Sequence, residues 1–242
     1  MKKHPVYDHL NRKKPSILAL IDPDRVLLEN ACKIAEFVID QGVDGIMVGS
    51  SLLVSSHFEH FIAQIKKGSS KPVIIFPGCS HQIAKKADAI FFLSLLSGRN
   101  SEFLIGEQVK AVFCIKEIGL EVIPVGYILI DSGSYTTVEY ISNTRPIPRN
   151  KPEVAVAHAL TGEYFGMKYT YLEAGSGARM PVPVDMIKKV KKETSISLIV
   201  GGGIKTAKTA RAIIDAGADI IVLGSIIEKS KSEFKKIMRA TK

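Results

Sequence analysis

A single glutamate stands between a strand-like run and three small residues in "YTYLEAGSGA", Tyr169 to Ala178. Small residues after a buried strand let backbone N–H groups approach an anion, phosphate above all. A carboxylate beside phosphate is repelled, so Glu173 is either incidental or handles a proton on a phosphorylated substrate. Two more turns of this kind come later in the chain. Gly201, Gly202 and Gly203 end "SLIVGGG" and run into Thr206 at a helix start, and Gly224 with Ser225 ends "DIIVLGS". One glycine run alone would read as a tight turn. Two on adjacent strands, with Gly175, Ser176 and Gly177 on a third, read as a phosphate cradle, to which a helix N-terminus adds partial positive charge.

A second group of residues offers oxygen ligands. "LIDPD" ends a run on Asp22, with Pro23 forcing the turn and Asp24 reading as a cap for the next segment. "VGSS" supplies the hydroxyls of Ser50 and Ser51. One carboxylate with hydroxyls and water is a sparse, hard-oxygen set that suits Mg²⁺ shared with a substrate's own phosphates. His57 and His60 sit three residues apart without a clear third ligand, and no zinc spacing occurs.

These residues need a scaffold, and the hydropathy pattern supplies one. Eight short apolar runs recur: "SILALID" (16–22), "GIMVGS" (45–50), "PVIIFPG" (72–78), "AIFFLSLL" (89–96), "EVIPVGYILI" (121–130), "YTYLEAG" (169–175), "SLIVGGG" (197–203) and "DIIVLGS" (219–225). Such Val- and Ile-rich runs suit strands buried on both faces. Helical spacing lies between them, with Leu28, Ala31, Ala35 and Val38 in 27–41 and with Ala210, Ile213 and Ile214 in 206–216. Eight strand–helix units in 242 residues predict a single α/β domain over 1–242, a (β/α)8 TIM barrel, with a doubly wound open sheet as the alternative. The gap between the third and fourth runs leaves room for only a short or missing helix. In such a barrel the chemistry belongs at the C-terminal ends of the strands, and phosphate sites recur after strands seven and eight. The long polar connection 132–153 is a candidate lid.

Composition bounds the rest. Net charge is +9, part of it at the ends (Lys2, Lys3, Arg12, Lys13 and Lys14, then Lys229 to Lys242), and lysine scattered this way reads mostly as solvated surface. A nucleic-acid binder would cluster basic residues with aromatics on one face; this chain has no tryptophan and no such motif. There is no apolar signal-peptide core and no run of about 18 apolar residues, so a cytoplasmic protein is expected. Cys32, Cys79 and Cys114 lie far apart and read as reduced thiols.

The pieces "LIDPD", "FPG", "SGRNSEFLIG", "YLEAGSGA", "VGGGI" and "GADIIVLGSIIE" resemble, in order and over nearly the whole chain, those of the geranylgeranylglyceryl phosphate synthases. That family consists of prenyltransferases on a modified (β/α)8 barrel whose third helix is missing or replaced. The resemblance implies ether formation between the 3-hydroxyl of sn-glycerol 1-phosphate and an allylic prenyl diphosphate such as geranylgeranyl diphosphate, with release of diphosphate. It implies Mg²⁺ at Asp22 and Ser51. Glycerol phosphate would be held by Tyr171, Leu172, Glu173, Ala174, Gly175, Ser176 and Gly177, with Gly202, Gly203, Gly224 and Ser225. Glu173 would take the proton of the attacking hydroxyl. It further implies a homo-oligomer, dimer or hexamer, and a peripheral membrane contact for product release.

Two spellings depart from the family, Gly49-Ser50-Ser51 for Gly-Gly-Ser and Gly224-Ser225 for Gly-Asn. Ser51 keeps its hydroxyl, and the backbone and hydroxyl of Ser225 can replace the lost amide. Phe91, Phe92, Phe58 and Phe61 could line a prenyl groove or simply fill the core, and Arg99, Arg145 and Arg149 could reach a diphosphate or sit at the surface. The closest rival reading is another phosphate-binding barrel, an isomerase or synthase of phosphosugars or amino-acid precursors, with Lys205 and Asp22 as its acid–base pair. A flavin-binding barrel is a further alternative.

Overall fold

The computed structural model describes residues 4–241, so Lys2, Lys3 and Lys242 lie outside the described residues. Each apolar run forms a strand: β1 Ser16–Ile21, β2 Gly45–Val48, β3 Val73–Ile75, β4 Ala89–Leu95, β5 Glu121–Leu129, β6 Tyr169–Glu173, β7 Ser197–Gly201 and β8 Ile220–Leu223. They pair in sequence order, all parallel, and β8 returns to β1 to close the barrel. The open-sheet alternative is therefore excluded.

Around the barrel run α1 Pro5–Asn11, α2 Ala31–Asp40, α3 Phe58–Lys67, α4 Glu107–Ile118, α5 Thr137–Ser142, α6 Pro152–Tyr164, α7 Val184–Glu193, α8 Ala207–Asp215, α9 Ser225–Lys229 and α10 Lys231–Thr241. No helix joins β3 to β4; residues 76–88 cross in an irregular path, as the short gap predicts. The helix predicted over 27–41 begins later. Leu28 lies in a 3-10 turn, Leu28–Asn30, and is exposed, while Ala31, Ala35 and Val38 form the buried stripe of α2. The polar stretch 132–153 carries the short helix α5.

Side chains alternate between two apolar layers, as strand geometry requires. Leu18, Met47, Ile74, Phe91, Tyr127, Tyr169, Tyr171, Ile199 and Val222 point inward. Ile17, Ala19, Val48, Ile90, Leu172 and Val200 point outward against the helices. On β6 this parity aims Tyr169, Tyr171 and Glu173 along the axis, and Glu173 is the last of them. The floor is closed by α1, where Val6 and Leu10 are buried and the Glu121 carboxylate accepts from the amides of Val6 and Tyr7 at 2.8 and 2.9 Å. Nearby, Asp219 accepts from the Leu198 amide (2.8 Å) and pairs with Lys191 (2.5 Å) and Lys14 (3.0 Å). Floor residues build stability, which leaves the opposite end for chemistry.

Candidate active site

At the C-terminal end of the barrel one cavity gathers nearly every residue singled out from the sequence. Asp22, Ser51, Glu173, Gly175, Ser176, Gly177, Gly202, Gly203, Gly224 and Ser225 all line it, joined by Asp24, Arg25, Ser50 and Glu228. Tyr171, Leu172 and Ala174 are buried beneath it. Leu172 points into the outer layer, so only its backbone can meet a ligand at the mouth.

The glycines are required for stated reasons. Gly175, Gly177, Gly202 and Gly203 have φ of +96°, +73°, +78° and +69°, where a side chain is strained. A Cβ on Gly202 would collide with Glu173 Oε1 and stand 2.8 Å from the amide nitrogens of Ala174 and Gly175. Turns of this kind leave amides unpaired. Among the described residues, those of Gly177 and Gly203 donate to no backbone carbonyl. Such N–H groups, beside the start of α9 at Ser225, form a concavity for an anion.

Glu173 stands at the inner edge of this concavity. It is 5% exposed, and its Oε1 accepts from the Gly175 amide at 2.7 Å. Burial pushes its carboxyl up to about 7, with the Tyr171 hydroxyl and the Gly175 amide acting against that rise. Tyr171 is completely buried, and its hydroxyl lies beside the Glu173 carboxylate. Both that hydroxyl and Glu173 Oε2 would be struck by a Cβ on Gly201, so the two groups share one small space. Burial also raises Tyr127 and Tyr171 well above the ordinary phenol value, which keeps both neutral.

Across the mouth, burial raises the Asp22 carboxyl, while the Asp24 amide, Arg25 and Ser50 oppose the rise. Glu228, buried to a similar degree, is raised as well, and Asp22 contributes to that. Arg25 bridges the two, 3.4 Å from Asp22 and 3.7 Å from Glu228. Arg25 carried no signal in the sequence beyond its charge near a strand end, and Glu228 appeared there only as the last residue of "GADIIVLGSIIE". Asp24 does not cap a helix. Its carboxylate accepts from the amides of Val54 and Ser55 at 3.0 and 2.7 Å and so pins the loop after β2. His57 and His60 are exposed, and among the described residues no three His, Cys, Asp or Glu form a metal cluster.

A second, mostly apolar cleft adjoins the mouth and shares Ser50, Ser51, Phe76, Tyr127 and Val138 with it. It occupies the flank where the helix after β3 is absent, walled by residues 76–80, Ile83, Phe92 and Phe103, with Ala111 and Ile115 of α4 at its side. Val138 and Ile141 of α5 cover part of it, so the polar connection contributes a wall. Phe91 and Phe92 line this cleft, whereas Phe58 and Phe61 lie in the outer core. Arg99 donates to the carbonyls of Leu96 and Gly98, and Arg149 to those of Asp131 and Pro181, so both brace loops.

Comparison with known proteins places this geometry. The profile of the PcrB family matches residues 8–241. The chain belongs to the PcrB family. The geranylgeranylglyceryl phosphate synthase of Thermococcus gammatolerans is 48% identical over 228 residues, 93% of this chain and 90% of that protein. Its counterpart in Chitinophaga pinensis is 45% identical over 225 residues, 93% and 89% of the two chains. The crystal structure of (S)-3-O-geranylgeranylglyceryl phosphate synthase from Thermoplasma acidophilum, in complex with substrate sn-glycerol-1-phosphate, matches with a TM-score of 0.93 at 38% identity, covering 100% of this chain and 99% of that one. The family resemblance drawn from the motifs is thus correct. An N-acetylmannosamine-6-phosphate 2-epimerase from Clostridium perfringens, at 13% identity and a TM-score of 0.62, shares the fold alone.

Proposed function

We propose that this PcrB-family enzyme joins the 3-hydroxyl of sn-glycerol 1-phosphate to the first carbon of an allylic prenyl diphosphate, geranylgeranyl diphosphate by preference. That it is a prenyl-transferring enzyme follows from its family and from relatives of that name. The observation that carries the finer reading is the junction of two unlike spaces at the barrel mouth, an anion-binding concavity holding one buried carboxylate and an apolar cleft opening beside it. A phosphosugar isomerase has use for the first and none for the second.

In this reading the amides at Gly177, Gly203, Gly224 and Ser225 hold the phosphate, which puts the glycerol hydroxyls toward Glu173. The prenyl chain lies in the cleft and its diphosphate meets Asp22 and Ser51. These two fit Mg²⁺: a half-buried carboxylate with raised pKa lacks full charge compensation, and a hydroxyl lines the same wall. Bound there with the diphosphate, Mg²⁺ would neutralise charge that grows on the leaving group. As the C–O bond to diphosphate breaks, the electron pair leaves with the diphosphate and positive charge spreads over the allylic carbons. The glycerol oxygen then forms the new C–O bond, and its proton passes to Glu173. A carboxyl near 7 suits that duty at neutral pH. The ring of Tyr127, which borders both the mouth and the cleft, offers π density to the cation.

The deciding assay uses purified protein, labelled sn-glycerol 1-phosphate and geranylgeranyl diphosphate. Transfer of label to a lipid-extractable product is expected, abolished by chelator and restored by Mg²⁺. No transfer with this donor or a longer one would sink the proposal. Filling the cleft supplies a second check. Ala111→Phe is expected to lower kcat/KM for the geranylgeranyl donor about tenfold or more while sparing a geranyl donor, because lost apolar contact is worth roughly 1–3 kcal/mol per obstructed methylene. Equal loss for both donors would place the chain elsewhere. A homo-oligomer, a cytoplasmic location and a peripheral contact with lipid during product release belong to the same reading. Among the described residues no helix is long and apolar enough to cross a membrane.

A further inference from the structure

Gln82 is completely buried, lies in the irregular crossing that replaces a helix, and has no part in the chemistry above. Its side chain makes a paired contact with the backbone of another segment. Oε1 accepts from the Ser50 amide at 3.1 Å, and Nε2 donates to the Ser50 carbonyl at 2.7 Å. Regular pairing between the β2 and β3 segments ends just before this point, with the Phe76 amide donating to Val48 at 2.9 Å. The side-chain amide of Gln82 therefore stands where the next peptide of a ladder would, offering one donor and one acceptor to one residue.

Two glycines make the space. A Cβ on Gly49 would strike the Phe76 carbonyl and come within 3.3 Å of Gln82 Oε1. One on Gly78 would strike the Ser50 carbonyl and come within 3.1 Å of Gln82 Nε2. Only glutamine satisfies both partners at this reach. Glutamate offers acceptors alone, asparagine is one methylene shorter, and methionine offers neither group. The crossing is held from its other side as well, since the Ser80 amide donates to the Glu107 carboxylate of α4.

We infer that Gln82 is a positioning residue for the prenyl diphosphate half of the reaction, clamping Ser50 so that the neighbouring Ser51 hydroxyl is presented to the diphosphate and its Mg²⁺. The inference rests on the reading under Proposed function. The clamp also joins two subsites, because Ser80 and Ile83, on either side of Gln82, line the apolar cleft, while Ser50 and Ser51 border both cleft and mouth. The glycerol phosphate side makes no use of it: Glu173, Gly177, Gly203 and Ser225 come from β6, from the turns after β6 and β7 and from the segment after β8. Removing the clamp should therefore divide the two substrates.

The test compares wild type with Gln82→Met and Gln82→Glu. Three readouts are taken: KM for each substrate, binding of Mg²⁺ with inorganic diphosphate by calorimetry, and hydrogen exchange at the Ser50 amide. Gln82→Met is expected to weaken Mg²⁺–diphosphate binding about tenfold, in keeping with groups that orient a metal ligand. KM for the prenyl donor rises and KM for sn-glycerol 1-phosphate stays within about twofold. The Ser50 amide exchanges faster in this variant, and Gln82→Glu, which keeps an acceptor, restores part of its protection. Equal changes in both KM values, or unaltered Mg²⁺–diphosphate binding with the Ser50 amide freed, would overturn the inference. Should the variants fail to fold, wild type alone decides. Saturation with Mg²⁺ and inorganic diphosphate should slow exchange at residues 49–51, and no slowing would overturn the inference too. Failure of the prenyl-transfer reading is recognised separately, by absence of transfer in wild type.

Discussion

Replacing Glu173 by glutamine is expected to abolish nearly all transfer while making the folded protein more stable at alkaline pH. The catalytic loss should be about 10²–10⁴-fold, the usual contribution of a placed general base. The stability gain follows from linkage. In the folded protein the carboxyl titrates near 7, against an ordinary value of 4.5, because burial disfavours its charge. Between those values the folded chain holds a proton that the unfolded chain has released. The group thus contributes stability that is complete below about 4.5 and lost as pH rises through about 7. At pH 8 the buried charge costs on the order of 3 kcal/mol, at about 1.4 kcal/mol per pKa unit. Glutamine cannot ionise and can still accept from the Gly175 amide. Urea unfolding should show the Glu173→Gln variant stabilised at pH 8 and unchanged at pH 4. The wild-type rate should climb with pH to a plateau above 7, and that limb should vanish from any residual activity of the variant. A variant that transfers normally would remove Glu173 from the chemistry, whatever its stability.

The second large effect is expected at Gly202. Gly202→Ala places a Cβ at φ +78°, against Glu173 Oε1 and 2.8 Å from the amides of Ala174 and Gly175. The left-handed backbone alone costs about 1–2 kcal/mol, and displacing packed neighbours raises the total to about 3 kcal/mol. Because the atoms displaced are the carboxylate and the turn beside it, transfer should fall with stability. Gly224→Ala supplies the contrast. The nearest atoms to its Cβ lie 3.7 Å away, in Leu20. Gly224→Ala should lose less stability than Gly202→Ala and raise KM for sn-glycerol 1-phosphate, since in the proposed reading a methyl group would stand where phosphate approaches the amides. Thermal unfolding and the two KM values check the pair. If Gly202→Ala were as stable as wild type, the tight packing around Glu173 would be wrong.

Much of this site could be read along the chain because its parts are local. A strand, a turn and the residue types in that turn are consecutive, so "YLEAGSGA" placed Glu173 beside a glycine turn at a strand end without tertiary information. The missing helix was legible for a related reason: too few residues separate β3 from β4 to build one. Strand parity was less accessible. Leu172 belongs to the same motif as Glu173, yet period-2 alternation turns it to the outer layer.

The sequence by itself determined the eight-stranded barrel, the glycine turns at one end of it and the carboxylate beside them. These depend on the order of apolar runs and on backbone conformations that only glycine adopts freely. Tertiary structure alone decided the apolar cleft, the Asp22–Arg25–Glu228 linkage and the clamp of Gln82 on Ser50. Residues 76–80, Ile83, Phe92, Phe103, Ala111 and Ile115 come from separate elements and meet only around the space left by an absent helix. Gln82 offered one ordinary amide with no spacing to mark it, and its significance lies in a partner 32 positions away. Contacts of that kind depend on how distant segments are brought together by closing the barrel, and periodicity along the chain carries no record of them.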